Sequence, residues 1–570
     1  MKCLNILDLS QDSKLSEEDC RTLDNLSKKV REEYDNYIGQ LILNNKISEK
    51  GLYLKVSSRN TLVSNLLKNF CDLALLEENI RLNKIPDLIV VETFEMKEII
   101  FQILDKNKIL NVEVVSKKNK KNKALTIFLN SLKLIYVFLN SWLLTRLLVS
   151  RRTPEGSVVL MDTFLFKETI DKSGGFEDRY YTGHQKYLTK EEEDNIWLAP
   201  TLFGLKKPQD YATLFWRSKK LKKNIFLKES WLNLSDYILA IFHSFLASSE
   251  VKVIPKFRNL NVSSIVEMEL LEERGSLSVF RAICNYRFYR RLSKKNIKIN
   301  FVINWFENHV NDRALNLSLR KYFEGVYIKG YQGFFLINFY ASYEPTSFEY
   351  NLKTIPHEIN VMNQFSYESL TQLCPELSVK LSPAFRFDHL EKLEDKRSND
   401  KKNIFIPFPG EGMTARGVNL VKNCLSTIAD IDIEAQVYVK PHPSFPLERL
   451  QKYDPIMLND QINYTDKSTS EMYEISDLVI ATGSVVCAES VALGIPLAIS
   501  GNSSEITMNP LPDNFKKDLW VVFYNETELK EFINFAFKSF ERVPSVESLF
   551  HPHTKEGARD LFINQLDDHL

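Results

Sequence analysis

The sequence predicts an α/β fold with two domains, each built around a parallel β-sheet. Short apolar, β-branched runs alternate with helical stretches along the chain, which is typical of parallel sheets. With 570 residues the chain is too long for a single hydrophobic core, since a domain takes roughly 100–200 residues. Residues 389–403 are highly charged and nearly free of apolar side chains, like a solvated linker. We therefore expect an N-terminal domain over 1–390, a linker over 391–402, and a C-terminal domain over 403–570 whose last helix could return to the first.

The apolar runs divide between the two expected domains. In the first they are PDLIVVET (86–93), ILNVEVV (109–115), SVVLMDTF (157–164), NIWLAP (195–200), KINFVINWFE (298–307), VYIKGYQ (326–332), HEINVMNQ (357–364) and SVKLSPAF (378–385). In the second they are NIFIPFP (403–409), QVYVKPHP (436–443), DLVIAT (477–482), PLAIS (496–500) and LWVVFY (519–524). Two such series predict two Rossmann-like domains facing a central cleft, and open α/β sheets bind ligands at the carboxyl ends of their strands.

Composition excludes several classes of function. Lys plus Arg (74) balances Asp plus Glu (74), which removes the bulk electrostatic argument for a nucleic-acid partner. The seven cysteines are scattered and form no CxxC pair or Cys/His cluster, so neither a disulfide framework nor a zinc site is indicated. No DxD motif precedes a plausible sugar site, so no metal is expected. A reducing cytoplasm fits this chain best.

The segment 125–149 is apolar and long enough to span a bilayer, which takes about 20 residues. Polar residues interrupt it at Asn130, Lys133, Asn140 and Arg146, and basic residues flank both ends. An amphipathic helix on the inner leaflet of the membrane and a core helix of the N-terminal domain are both compatible with this pattern. A membrane span is the least favoured alternative, because each inserted charge is costly.

The loop after the strand QVYVK carries a cluster typical of phosphate recognition. Lys440 ends the strand, and His442 stands between two prolines, the second being Pro443. Prolines stiffen the loop, and both charged side chains could donate to phosphate oxygens. His442 could also protonate a leaving phosphate.

A second cluster follows the strand DLVIA. The turn containing Gly483 and Ser484 leads directly into a helix, whose N-terminus can bind an anion through backbone N–H groups and the helix dipole. Glu489 lies five residues after Ser484, about one and a half helical turns, so it can face the same ligand. A carboxylate there suits the hydroxyls of a ribose.

In this order, the Gly-rich strand end, the K-x-H-P loop and the S-x4-E-x-x-A-x-G-x-P unit resemble the donor domain of GT-B glycosyltransferases. The resemblance is greatest to bacterial capsule and lipopolysaccharide enzymes that use CMP-activated Kdo or sialic-acid-like sugars. It implies that His442 and Ser484 hold the CMP phosphate and that Glu489 binds the nucleotide ribose. It covers roughly residues 300–505, and earlier residues match in architecture only.

A third cluster, around Glu307, is suited to catalysis. Glu307 ends a strand and opens a helix, where a carboxylate is stabilised and well oriented. An inverting transfer needs a general base for the acceptor hydroxyl, and Glu307 is the first candidate, with His309 second. Asn308, Arg313 and, in the following GYQG turn, Gln332 are candidates for binding substrate.

Three further residues are expected at the donor site. Gly410 follows the first strand of the second domain and would allow close approach of backbone to a sugar or diphosphate. Glu411 could contact donor hydroxyls or act as a rival base. Arg386 could reach a carboxylate on the donor, although an ion pair with the acidic residues of the linker is an equal alternative.

These observations predict a cytoplasmic glycosyltransferase, peripheral at the inner membrane if the helix at 125–149 contacts lipid. The donor is a nucleotide sugar, with CMP-Kdo or a CMP-nonulosonate favoured, and no cofactor or metal is expected. The acceptor is a surface polysaccharide or lipid-linked glycan. Two alternatives stay open: a sugar-nucleotide epimerase of the same architecture, and an inactive scaffold in polysaccharide assembly.

Overall fold

The structure, a computed structural model, confirms the α/β class and is dominated by two six-stranded parallel sheets. It describes residues 5–11, 13–337, 339–397, 401–431, 434–443, 445–513, 515–539 and 542–563. The strands are β1 (Ile6–Asp8), β2 (Leu88–Thr93), β3 (Glu113–Lys118), β4 (Val158–Asp162), β5 (Phe164–Leu165), β6 (Ile196–Leu198), β7 (Thr201–Leu202), β8 (Ile299–Trp305), β9 (Tyr327–Gln332), β10 (Glu358–Val361), β11 (Ser378–Leu381), β12 (Lys402–Pro407), β13 (Ala435–Lys440), β14 (Ile462–Tyr464), β15 (Leu478–Ala481), β16 (Leu497–Ser500) and β17 (Trp520–Phe523).

Helices fill the intervals between these strands. They are α1 (Glu17–Asn45), α2 (Lys55–Ser58), α3 (Leu66–Arg81), α4 (Phe94–Lys106), α5 (Lys123–Leu148), α6 (Lys190–Asp194), α7 (Pro208–Ser218), α8 (Lys228–Trp231), α9 (Leu234–Leu246), α10 (Ser263–Glu272), α11 (Leu277–Lys294), α12 (Val310–Tyr322), α13 (Ser347–Asn351), α14 (Gln364–Leu373), α15 (Thr414–Ala429), α16 (Leu447–Gln451), α17 (Thr469–Ile475), α18 (Val485–Ala492), α19 (Glu526–Ser539), α20 (Val546–Leu549) and α21 (Lys555–Phe562).

The order of strands identifies where each large sheet binds ligands. The first sheet runs β6-β4-β8-β9-β10-β11, and the second runs β14-β13-β12-β15-β16-β17. Numbered along the chain, these orders are 2-1-3-4-5-6 and 3-2-1-4-5-6, both doubly wound. Each order reverses once, between β4 and β8 in the first sheet and between β12 and β15 in the second. The loops at the carboxyl ends of these strand pairs are therefore the expected ligand-binding positions.

Burial explains why the central strands are continuous apolar runs. All four residues of β15 and all five of β4 are buried, because helices cover both faces of a parallel sheet. The last helix, α21, packs on the first large sheet rather than the second. There the Phe562 ring stacks on His184 with centroids 5.0 Å apart, and Arg559 pairs with Glu192 at 2.7 Å. Residues 564–570 of the segment predicted as a last helix lie outside the described residues.

The N-terminal region is more divided than the sequence predicts. Residues 1–390 were expected to form one Rossmann-like domain, but β1, β2 and β3 pair only with one another, in a sheet separate from β4–β11. In the sequence, the long helix α5 comes after the last strand of the small sheet and before the first strand of the large one. The linker expected at 391–402 is held against the C-terminal domain, since Lys396 pairs with Glu474 at 2.9 Å. Residues 398–400 of this linker lie outside the described part of the chain.

Candidate functional site

The turn after β15 is built to present a helix N-terminus. Gly483 has φ +98°, and a Cβ atom there would lie 1.8 Å from the backbone oxygen of Met508, so only glycine fits. Ser484 is exposed and caps α18, accepting a hydrogen bond from the backbone N–H of Val486 at 3.3 Å. The turn thus directs the positive end of the α18 dipole, with an exposed hydroxyl, into the switch-point crevice of the second sheet.

Arg416 supplies a cation to the same turn, and sequence reasoning missed it. It lies in the first turn of α15, the helix that follows the loop after β12. Its Nη2 donates to the carbonyl oxygen of Thr482 at 3.3 Å. No carboxylate of the described residues lies within 4.0 Å of its guanidinium. Burial lowers the pKa of Arg416, against the opposing effects of Glu505 and Asp24. A half-buried cation without an ion pair, beside a helix N-terminus, is suited to binding a phosphate.

Glu489 lies on the same helix as the Ser484 cap and faces inward. Tyr473 donates to its Oε2 at 2.5 Å, whereas Oε1 accepts no hydrogen bond from the described residues. Burial raises the pKa of Glu489, and the Tyr473 hydrogen bond and the nearby charges of His389 and Arg386 oppose that rise. Its free oxygen is placed to accept hydroxyl groups from a ligand on the turn.

Arg386 lies near residues of both large sheets. It follows β11, and its guanidinium carbon lies 6.0 Å from the centre of the Trp305 ring at the end of β8. Through charge it acts on Glu489 of the C-terminal domain and on Tyr343 of the N-terminal one, whose pKa Glu307 also affects. Arg386 therefore lies near candidate residues at the carboxyl ends of both large sheets.

The Lys440–Pro443 loop is at the edge of the switch-point crevice of the second sheet. Lys440 donates to the backbone oxygen of Lys467, while His442 and Pro443 are exposed. Because β12 lies between β13 and β15, this loop starts two strand spacings, about 10 Å, from the Ser484 turn. At this distance the loop and the Ser484 turn could contact two different parts of one ligand.

The loop after β12 lies between these two turns. Gly410 precedes the short 3-10 turn Glu411–Met413 that leads into α15. Glu411 is exposed and pairs with Arg449 at 2.5 Å on the surface. That ion pair leaves Glu411 a weaker candidate for a base than the Glu307–His309 pair.

Glu307 and His309 form a close pair at the switch point of the first sheet. Glu307 Oε1 accepts from the indole N–H of Trp305 at 2.7 Å, and Oε2 lies 3.4 Å from His309 Nε2. Burial lowers the pKa of His309 and Glu307 opposes this, so the imidazole is neutral at pH 7. The backbone N–H groups of both residues donate to the Asp312 carboxylate, at 3.2 and 2.9 Å, which fixes their orientation. His309 Nε2 makes no hydrogen bond within the described residues, so the carboxylate lies beside the imidazole without bonding to it. An imidazole next to a carboxylate is a candidate general base.

Three residues predicted to bind substrate do not reach the crevice, and these predictions are corrected. Asn308 and Arg313 have no exposed surface; both donate to the Glu349 carboxylate, from Asn308 at 3.0 Å. The buried Glu349 requires partners, and these side chains meet that requirement. Gln332 is also buried and donates to the Tyr343 carbonyl oxygen at 2.8 Å.

Within the described residues, no group of three or more His, Cys, Asp or Glu side chains is arranged to hold a metal ion. No protein-family model matches the sequence, and no curated protein matches it. Several solved structures are similar over most of their length. A co-structure of S. aureus MnaA with UDP aligns with 71% of this chain and 94% of that chain, at 10% identity and a TM-score of 0.39.

Two further solved structures give similar values. UDP-GlcNAc 2-epimerase from Neisseria meningitidis, bound to UDP-GlcNAc, covers 72% of this chain and 99% of its own at 12% identity, with a TM-score of 0.38. MurG from Acinetobacter baumannii covers 71% and 99% at 11% identity, with a TM-score of 0.36. At these identities and TM-scores, the function has to be argued from the site itself.

Proposed function

We propose that this chain is a GT-B-type glycosyltransferase that moves a sugar from a nucleotide donor to an acceptor hydroxyl. The observation that supports the proposal is that each large sheet places polar side chains at its switch point, with Arg386 near both sets. One set offers an anion site, formed by Arg416 and the Ser484 turn, with Glu489 beside it. The other offers a neutral imidazole paired with a carboxylate, His309 and Glu307. A phosphate-linked sugar and a nucleophilic hydroxyl are the two partners that these sets suit.

In the proposed reaction, the nucleotide phosphate lies against Arg416 and the N-terminus of α18, and its ribose hydroxyls donate to Glu489. The Glu307–His309 pair takes the proton of the acceptor hydroxyl, and the acceptor oxygen forms the new bond to the anomeric carbon. The bond from that carbon to the phosphate oxygen breaks, and the nucleotide leaves with the electron pair. Arg416 and the helix dipole stabilise the charge that develops on the leaving phosphate.

The finer parts of the proposal concern donor and acceptor. We favour CMP-Kdo or a CMP-nonulosonate as donor, because of the K-x-H-P loop and the serine that follows it. We favour a surface polysaccharide or lipid-linked glycan on the cytoplasmic side as acceptor. The proposed reaction uses no metal and no further cofactor.

A thermal-shift titration with CMP, CDP, UDP, GDP and ADP tests the donor site. A ligand that binds only the folded chain at about 100 times its Kd adds roughly 2.7 kcal/mol of stability. A selective shift with CMP supports the favoured donor class, whereas a shift with UDP or GDP keeps the transferase and discards CMP. No shift with any nucleotide would remove the donor site and favour an inactive scaffold.

Arg416→Ala sharpens the test, with Lys422→Ala as control. Loss of a charged hydrogen-bond donor should raise the Kd for the nucleotide about 10- to 100-fold. Lys422 lies on the same helix but pairs with Asp454 at the surface, so its removal should leave the Kd unchanged. Equal affinities in both variants would contradict the site assignment. Acceptor-dependent release of the nucleotide then separates a transferase from an epimerase.

A further inference from the structure

Within the described residues, nine large hydrophobic side chains are exposed on the outer face of α5. Its exposed large hydrophobic side chains recur at helical spacing and form a stripe along most of the helix: Leu125, Phe128, Leu129, Leu132, Ile135, Tyr136, Leu139, Leu143 and Leu147. Leu134, Ser141 and Thr145 are the buried residues of this helix. By length and composition α5 is the single described helix that could cross a membrane, and 11% of its most apolar stretch is buried.

Two of the four polar residues that interrupt α5 contact the rest of the protein. Asn130 donates to the backbone oxygens of Glu272 and Arg274, at 2.9 and 3.0 Å, and Arg146 donates to that of Leu232 at 2.8 Å. Of the polar stripe predicted from sequence, Asn130 and Arg146 thus bind the protein, whereas Lys133 is exposed and Asn140 donates to Tyr136 of the same helix. These contacts distribute along the helix and hold it flat against the N-terminal domain, which disfavours a membrane span.

The neighbouring helix α9 also exposes apolar side chains and buries a charged one. Leu234, Ile238, Phe242 and Leu246 are exposed at intervals of four residues, whereas Asp236 on the same helix is fully buried. Asp236 binds Arg287 and Arg291 beneath the helix. The rings of Phe138 on α5 and Tyr237 on α9 lie 5.3 Å apart, so the two helices are adjacent.

On the two helices themselves the exposed charges are basic, although Glu98 and Glu267 are exposed beside Lys120 and Lys123. Helix α5 contains no acidic residue, and the one acidic residue of α9 is the buried Asp236. Exposed basic residues lie within or beside the surface: Lys120, Lys123, Lys133, Arg152, Lys206 and Lys207. The loop of Lys206 is joined to the surface by its backbone oxygen, which accepts from the Tyr136 hydroxyl at 2.9 Å. An apolar surface with positive charges and without exposed acids on its helices complements an anionic bilayer.

We propose that α5 and α9 together form a membrane-docking surface that lies in the interface of a bilayer containing anionic lipid. The apolar stripes enter the boundary between headgroups and acyl chains, and the surrounding lysines contact the headgroup phosphates. This inference is independent of the donor site. It adds α9, which the sequence did not single out, and assigns Asn130 and Arg146 of α5 to contacts with the protein.

Co-sedimentation of the full chain with vesicles tests this surface. Vesicles of phosphatidylethanolamine with phosphatidylglycerol should bind the protein, and binding should weaken with added salt, whereas phosphatidylcholine vesicles should bind it less. The double variant Phe128→Glu, Phe242→Glu should lower the partition coefficient at least about tenfold, since both rings enter the apolar region. Both are more than half exposed, at 58% and 57%, so the variant should keep the melting temperature of the parent.

The matched control is Leu458→Glu in the C-terminal domain. Leu458 is 63% exposed but lies outside the two-helix surface, so this change should leave vesicle binding unaltered. Absence of binding by the parent chain, or equal loss in the control, would overturn the proposal. So would a dimer in light scattering that the double variant converts to monomer, because a second copy would then cover the surface. None of these readouts depends on nucleotide binding or turnover.

Discussion

Gly483→Ala tests whether the turn before α18 is as constrained as the structure indicates. At φ +98° alanine is strained, which costs about 1–3 kcal/mol. The added Cβ would also lie 1.8 Å from the Met508 backbone oxygen, a contact that no rotamer change relieves. Forced repacking of this kind costs a further 1–3 kcal/mol or so. The expected loss is therefore about 2–6 kcal/mol, or about 4–24 °C in the melting temperature of a domain of this size.

Differential scanning fluorimetry with and without nucleotide measures both consequences. The variant should melt earlier and should also lose the nucleotide-dependent shift, because relieving the clash moves the Ser484 turn. Gly412→Ala is the control: it lies in the same crevice, but a Cβ there meets nothing within 4 Å. That change should alter stability by no more than about 1 kcal/mol. A Gly483→Ala protein as stable as the control would refute the argument from backbone geometry.

The remaining predictions concern catalysis, packing and pH. Glu307→Gln should lower kcat about 10²- to 10⁴-fold and leave the Kd for nucleotide unchanged; an unaltered kcat would remove Glu307 as the partner of the base His309. Arg313→Met should cost about 3 kcal/mol by weakening the pairing of buried Glu349, and a raised Kd without lost stability would return Arg313 to substrate binding. Burial lowers the pKa of His184 from 6.5 to about 4, so the unfolded chain takes up this proton first as the pH falls. The resulting loss, about 3 kcal/mol, develops between these two pH values, and His184→Asn should reduce the acid sensitivity of the melting temperature; an unchanged pH profile would contradict the burial argument.

The strands of the large sheets could be predicted because burial on both faces makes them continuous apolar runs. The runs at 157–164 and 477–482 contain β4 and β15. The three-residue strands β1 and β14 could not be predicted, because they are only partly buried and no continuous apolar run marks them, unlike the equally short but fully buried β6. The run at 109–115 was placed too early, because β3 extends to Lys118 through residues that are polar and at an edge.

Some site residues could be predicted because neighbouring residues in the sequence determine their environment. Others could not, because their environment depends on residues distant in sequence. Gly483 and Ser484 stand between a buried strand and a helix, so their position at a turn follows from their neighbours. Arg313 does not, because an Arg in a first helical turn can face solvent or a buried carboxylate, and the buried Glu349 is distant in sequence. Arg416 was missed for the same reason. Its role depends on the carbonyl of Thr482. That group is near Arg416 only because β15 pairs with β12 in the sheet.

The donor turn also depends on the first helix of the chain. Asp24 of α1 accepts from the backbone N–H of Thr507 at 2.7 Å and from the Tyr524 hydroxyl at 2.6 Å, both in the C-terminal domain. These bonds fix the segment whose next residue, Met508, lies against Gly483. Asp24 also adds negative charge near Arg416 and helps keep that buried guanidinium protonated. The N-terminal segment is thus part of the wall that gives the proposed phosphate site both its shape and its charge.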